Sequence, residues 1–355
     1  MTGSAVQRLR LLALMVALSA AAGAGYALAE RSSGTGWVVE AASGATIGTV
    51  ISSFIVGIGL FGEGRLLGRS RRLPFVVAVL LRTLVYGVAI MAALVVVPWL
   101  YFGVPLLPLR PGIAGDLAFS FAVTFVGVSL LSIAQLIGPG VLANLLTGRY
   151  YRPREEQRIV LFLDLVGSTT IAERIGNVRF HALLSETFTL LSKVVMDQGG
   201  EVHRYVGDAL IATWPLGTPA RNARPLLCLL ACRDALDAAG PGLLRRHGHQ
   251  PAFRAGLHAG PVVAGEIGGF KREIALLGDT MNTAARIEEA CRTAGHPLLV
   301  SGTLAGRAEI PAGLRLTSIG PALLRGKSAG LELFALERAE AGSDERGGTP
   351  VGGTR

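Results

Sequence analysis

Long stretches without a charged residue dominate the N-terminal part of the chain, at 11–29, 41–62, 83–109 and 117–148. Each reaches the roughly 20 residues that cross a bilayer as an α-helix. The third contains Pro98, Trp99, Tyr101 and Phe102, which suit a helix end at headgroup level, and the fourth is broken at Gly138-Pro139-Gly140. The pattern predicts an all-α transmembrane domain over 1–140 with spans at about 11–29, 44–61, 77–98 and 117–137, then a juxtamembrane linker over 141–157.

Beyond residue 148 the periodicity becomes that of a soluble chain mixing helices and strands. Ile159 to Leu163 are wholly apolar and end at Asp164, as a short buried strand does. Gly167-Ser168-Thr169 offers a loop and an N-cap, followed by a helix from about 170 and another reaching about 197. EVHRYV and ALIATW read as two strands joined by Gly207-Asp208, a two-residue hairpin turn. A helix over about 219–239, strands near 253–260 and 271–277, and a helix over about 280–293 follow. Short strands near 297–301, 314–318 and 331–336 close a domain of residues 158–338, and the Gly-, Glu- and Arg-rich segment 339–355 reads as a disordered tail.

Charge fixes an orientation. Residues 1–147 hold nine Arg, no Lys and four acids (Glu30, Glu40, Glu63, Asp116), a net +5 of the chain's +9. Arg8 and Arg10 precede the first span, Arg65, Arg69, Arg71 and Arg72 separate the second from the third, and Arg149, Arg152, Arg154 and Arg158 follow the fourth. The other two loops carry only Arg31 and Arg110, so both termini are placed in the cytoplasm of a multi-pass inner (plasma) membrane protein. The partner implied for these arginines is anionic lipid, and nucleic acid is not. A rival reading makes 8–29 a cleaved signal peptide ending near Ala27-Leu28-Ala29, which leaves the later topology unchanged. Gly44, Gly48, Ser52, Ser53 and Gly57 would let helices pack closely, and Arg82 reads as a snorkelling interface residue. The scarcity of ionisable groups within the spans speaks against ion-coupled transport and leaves reception open.

Three cysteines, Cys228, Cys232 and Cys291, give neither a disulfide framework nor zinc spacing and read as buried thiols. His247 and His249 lie in a solvated basic loop on this reading, without further ligands. PALLRGKS ends like a phosphate-binding loop, but Pro321 stands where the first Gly is needed and no helix follows.

Candidate chemistry gathers on two acids. Asp164 ends a buried strand and Asp208 sits at a hairpin tip, where adjacent strands can bring both carboxylates, with the Leu165 carbonyl, to shared hard cations such as Mg²⁺. Turn and strand-end aspartates also serve structure alone. Asn282 and Arg286, four apart on a predicted helix, share a face and suit a ribose and a phosphate.

Taken in order, FLDLVGST, RYVGD, LGDTMNTAARIE and LLRGKSAGLELFAL resemble the class III adenylate/guanylate cyclase catalytic domain across about 158–336. The resemblance implies an α+β, ferredoxin-like fold with a mixed or antiparallel sheet, working as a homodimer with active sites at the interface. It makes Asp164, Leu165 and Asp208 the metal site for two Mg²⁺ or Mn²⁺ ions, and Asn282 and Arg286 the catalytic pair. Gly167, Ser168, Thr169, Arg204, Ala275 and Arg325 become substrate-binding positions. The two aspartates are expected from one subunit and the Asn/Arg pair from its partner. Implied is conversion of ATP to 3′,5′-cyclic AMP and pyrophosphate in intracellular signalling; the alternatives are a guanylate cyclase or a catalytically silent nucleotide-binding sensor. Adenylate-specific members read the purine with Lys and with Asp or Thr, where this chain has Arg204 and Ala275. Arg204 still donates to adenine N1, Ala275 accepts nothing, and Glu273 on the same strand face is a possible substitute.

Overall fold

The computed structural model describes residues 3–29, 36–61, 75–103, 113–137, 148–270, 272–323, 325 and 330–339. Two compact units divide the chain, Ala5–Ala143 and Asn144–Arg355. The arginines at 31, 65–72 and 110, the break at 138–140 and the tail from 340 onward lie outside the described residues.

Among the described residues the first unit contains four helices, α1 (Gly3–Ala29), α2 (Trp37–Phe61), α3 (Phe75–Phe102) and α4 (Ile113–Ile137). Pro98 does not end α3 as expected. The helix continues to Phe102 and stops at Gly103, whose φ of 62° breaks the helical run. Ile51, Tyr86, Ile90, Leu94 and Val128 form its core, while Leu84, Val76, Leu100, Leu18 and Val126 face outward. Close packing of α1 on α2 depends on glycine, since a Cβ on Gly23 or Gly44 would strike the other's carbonyl oxygen. Among the described residues, Leu12–Ala29 alone is long and apolar enough to cross a membrane by length and composition; Ile90–Phe102 and Ala114–Leu130 are shorter apolar stretches. Two acids that the predicted spans leave outside, Glu40 and Asp116, lie within α2 and α4 and are buried, with the Tyr26 hydroxyl donating to Asp116 at 3.3 Å.

The second unit is built on eight strands: β1 (Arg154–Leu165), β2 (Glu201–Val206), β3 (Ala209–Pro215), β4 (Phe253–Ile267), β5 (Glu273–Leu277), β6 (Leu298–Ser301), β7 (Leu314–Ala322) and β8 (Leu331–Arg338). Their order is β2-β3-β1-β4-β6-β8-β7, with β5 paired to β4 alone. Among the described residues β4 and β6 alone run parallel, so the sheet is mixed. Among the described residues it is accompanied by the helices α5 (Ser168–Ile175), α6 (Asn177–Asp197), α7 (Arg224–His247) and α8 (Asp279–Ala294) and by two single helical turns, Pro219–Asn222 and Gly302–Ala305.

Strand β1 explains the architecture. Its alternate residues Ile159, Leu161 and Leu163 pack into the core with Leu183 and Leu191 of α6 and Leu226, Leu229 and Leu243 of α7. Val160 and Phe162 point the other way, to a cluster containing Ala284 and Met281 of α8. Helices therefore cover both faces, which is why β1 is apolar at every position rather than at every second one. Asp164 follows Val160 and Phe162 in the alternation and lies on the α8 side.

Several boundaries moved. Strand β1 begins at Arg154, four residues before the expected domain start, because its ladder with β4 begins there. Helix α7 runs through Pro241 to His247 instead of stopping near 239. Leu236 and Leu243, seven apart, are both buried against the core, and the helix ends at Gly248, in the left-handed conformation. His247 is accordingly not in a loop; its Nε2 lies 2.8 Å from Glu186 Oε2.

Candidate active site

Register places the two aspartates. Asp164 faces Ala209 in the β1–β3 ladder, so Asp208, one residue earlier at the hairpin tip, reaches the same end of the sheet. The turn is tight because Gly207 takes a φ of 59°, which a side chain disfavours. The Leu165 amide donates to the Asp208 carbonyl at 3.4 Å, tying strand end to turn. Burial pushes the Asp164 carboxyl up to about 6; the Asp208 charge and a hydrogen bond from its side chain add to the rise, and Arg254 opposes it. Two carboxyl groups in hydrogen-bonding reach of one another repel when both are ionised, and a cation between them removes that cost. The donor set thus fits hard divalent cations held by two carboxylates plus substrate phosphates. Among the described residues no cluster of three or more His, Cys, Asp or Glu could hold a metal without such a substrate.

Two groups at this site escape the sequence reading. Arg254 of β4 stands opposite Asp164 in the β1–β4 ladder, its Nη2 3.9 Å from Asp164 Oδ2. Its Nε lies 3.4 Å from Oε1 of Glu288 on α8. Burial pushes Glu288 up to about 7, the Asp164 charge raising it further and Arg254 again opposing. Glycine two residues along β4 makes this possible: a Cβ on Gly256 would sit 2.7 Å from the Ala284 carbonyl, so α8 approaches β4 backbone to backbone. The ARIE sequence carried a signal, a Glu two residues after Arg286, but nothing in spacing says that it faces Arg254.

Asn282 is exposed and Arg286 half-buried on α8. Two helical steps separate Arg286 from Glu288, a rotation of about 200°, so the Asn282/Arg286 face turns away from the face that meets Arg254. Among the described residues no hydrogen bond or ion pair links Asn282 or Arg286 to Asp164 or Asp208.

Gly167, with a φ of 70°, is the residue before α5, and no side chain caps that helix, contrary to the expected Ser/Thr cap. The Ser168 and Thr169 amides thus begin a helix whose first turn has no side-chain acceptor. Arg325 is exposed, between segments outside the described residues. Arg204 and Glu273 form an ion pair, Nη2 to Oε1 2.8 Å, and Ala275 is buried.

A family model described as the adenylate and guanylate cyclase catalytic domain matches residues 150–337, more than half of the chain. Adenylate cyclase 2 of Rhizobium meliloti (strain 1021) is 35% identical over 228 residues, 64% of this chain and 63% of its own length. Adenylate cyclase 1 of the same strain is 28% identical over 242 residues, 65% of this chain and 34% of its own. The chain therefore spans less than two thirds of the length of either relative. A bacterial light-regulated adenylyl cyclase of known structure superposes with a TM-score of 0.54 at 18% identity, over 62% of this chain and 64% of that one, which shows a shared fold. With its aspartate pair, mixed sheet and matched span in agreement, the chain belongs to the adenylate and guanylate cyclase catalytic domain family.

Proposed function

We propose that this protein is a membrane-anchored adenylate cyclase that converts ATP to 3′,5′-cyclic AMP and pyrophosphate at the interface of a homodimer. The observation that carries the reading is the meeting of Asp164 and Asp208 at one end of the sheet, with Arg254 beside them. Its names for the reaction come from relatives called adenylate cyclases, aligned over nearly two thirds of the chain.

In the reaction the ribose 3′-oxygen bonds to the α-phosphorus, the bond from that phosphorus to the bridging oxygen breaks, pyrophosphate leaves and the 3′ proton passes to solvent. Two divalent cations, Mg²⁺ or Mn²⁺, held by Asp164, Asp208 and the Leu165 carbonyl, would supply charge neutralisation for this step. The protein positions the rest. The backbone amides from Gly167 to Thr169 donate to phosphate oxygens, as a helix start does. Arg286 of the second chain stabilises charge on the α-phosphoryl oxygens, Asn282 holds the ribose, and Arg325 takes the terminal phosphates. The opposed faces of α8 support an interfacial site, because the Asn282/Arg286 face turns away from the face that meets Arg254. Arg204 and Ala275 line the purine.

The helical unit anchors the enzyme as four spans in the inner membrane, with residues 158–338 cytoplasmic. Large apolar side chains point outward from it while Glu40, Thr83, Asp116 and Ser132 are buried, the reverse of a water-soluble bundle, which supports lipid as its surroundings. Incubating the purified full-length chain with ATP or GTP, each with Mg²⁺ or Mn²⁺, tests the proposal. Cyclic AMP is the expected product, and absence of any cyclic nucleotide under all four conditions would end it.

A further inference from the structure

We propose that Arg254 is a displaceable counter-ion of the metal site, held against Asp164 while no cation is there, and that Glu288 is the positioning residue that draws it aside when cations bind. The inference rests on the proposed metal site at Asp164 and Asp208 and deepens it.

Arg254 stands between two acids and closes on neither. Its Nη2 is 3.9 Å from Asp164 Oδ2, beyond hydrogen-bonding reach, and its Nε is 3.4 Å from Glu288 Oε1. Among the described residues, that Nε and that Oε1 are both buried and neither makes a hydrogen bond. A guanidinium docked for structure alone usually meets its carboxylate with two parallel N–H donors at about 2.7–2.9 Å. Buried polar groups left unsatisfied are uncommon in folded chains, because each forfeits its bonds to water. An unbonded buried donor facing an unbonded buried acceptor is one half of a two-position arginine, the other half being the closed pair.

The backbone decides which partner moves. A Cβ on Gly256 would sit 2.5 Å from the Glu288 amide nitrogen, so α8 is seated directly on β4 and Glu288 has little freedom to advance. Ile287 and Cys291 hold the same stretch of helix in a buried cluster. Arg254 carries a long flexible stem and is partly exposed, so the guanidinium is the group that swings.

Charge supplies the drive. Without cations, Arg254 offsets part of the repulsion between Asp164 and Asp208. With cations on the same carboxylates, the guanidinium becomes a like charge a short distance away. Among the described residues, Asp164 and Glu288 are its ion-pair partners, so Glu288 receives it. Without the Glu288 charge, Arg254 stays on Asp164 and competes with the cation.

Mn²⁺ binding to the full-length chain without nucleotide, followed by electron paramagnetic resonance at about pH 8, where both acids are ionised, tests this. Arg254→Gln removes the competing charge and should tighten binding about tenfold; Glu288→Gln should weaken it by a similar factor, the scale of changes beside a metal's own ligands. In R254Q/E288Q the second substitution should add nothing, because Glu288 acts through Arg254. Weakening by Glu288→Gln that persists in the double variant would reveal a direct field from the carboxylate and overturn the inference. Unmoved affinities in both single variants, with lowered melting temperatures, are what a helix clamp gives and would overturn it too. Should a glutamine variant not fold, Glu288→Asp keeps the charge but withdraws the acceptor, and wild-type Mn²⁺ affinity there would count against the inference equally. Mn²⁺ binding that is missing from the wild-type chain, or that survives Asp164→Ala, would instead sink the metal site itself and this inference with it.

Discussion

Arg254 lies 3.9 Å from Asp164 on one side and 3.4 Å from Glu288 on the other, so one guanidinium is shared by a half-buried and a buried acid. Both acids are raised above their ordinary values, Asp164 to about 6 and Glu288 to about 7, so burial and mutual repulsion outweigh the single cation. Each folded-state value exceeds the unfolded one, so between about pH 4 and pH 7 these two acids bind more protons in the native chain than in the unfolded chain, while His203, which burial lowers to about 4, acts in the opposite sense. The contribution of these two acids to stability falls as pH rises through that window and outweighs the opposing His203. Thermal melts in EDTA are expected to drop by a few degrees from pH 4.5 to 7.5, and Asp164→Asn should flatten the slope. A melting temperature that rises over this range in EDTA would contradict the electrostatics described.

Removing either aspartate should abolish turnover while leaving the helical unit folded, because both aspartates lie in the other unit. Asp164→Ala and Asp208→Ala are expected to lose at least about a hundredfold in kcat, the scale of losing a preorganised charge-stabilising group. Mn²⁺ binding followed by electron paramagnetic resonance should weaken in both. Wild-type turnover in either variant would remove the metal assignment.

The separation of the Asn282/Arg286 face from the aspartates predicts complementation. Asp164→Ala and Arg286→Ala chains, each inactive alone, should regain activity when mixed, since one site of each mixed dimer keeps every group. Random pairing makes half the dimers mixed with one intact site of two, so about a quarter of wild-type activity is the ceiling if the sites act independently and nothing replaces the Arg286 charge. If mixed dimers form and activity stays at zero, each site is built within one chain.

Glycine contacts between α1 and α2 predict a contrast within the helical unit. Gly44→Ala should destabilise it by about 1–3 kcal/mol through overpacking against Gly23. Gly25→Ala, with nothing within 4 Å of the added carbon, should be neutral or slightly stabilising. Equal melting temperatures for the two would argue against this packing.

Topology is tested by reporters fused after residue 72 and at the C-terminus, both expected in the cytoplasm from the arginine clusters. Periplasmic behaviour at residue 72 would overturn this topology.

Much of this was legible in the sequence because it depends on local rules. The wholly apolar run at 159–163, the Gly207-Asp208 turn and the helix at about 280–293 each follow from neighbours a few positions away. Ordered motifs then identified the family without any contact being known. Pairing across the chain was decided elsewhere. Arg254 and Glu288 are distant in sequence and were unremarkable there, and they became part of the site only when β4 aligned beside β1 and Gly256 let α8 settle on the sheet. Glu273 was visible as a candidate, but its bond to Arg204 depends on how β5 folds back toward β2. Local periodicity specifies elements and turns; which charges share a guanidinium depends on strand order and register, which only the packed sheet fixes.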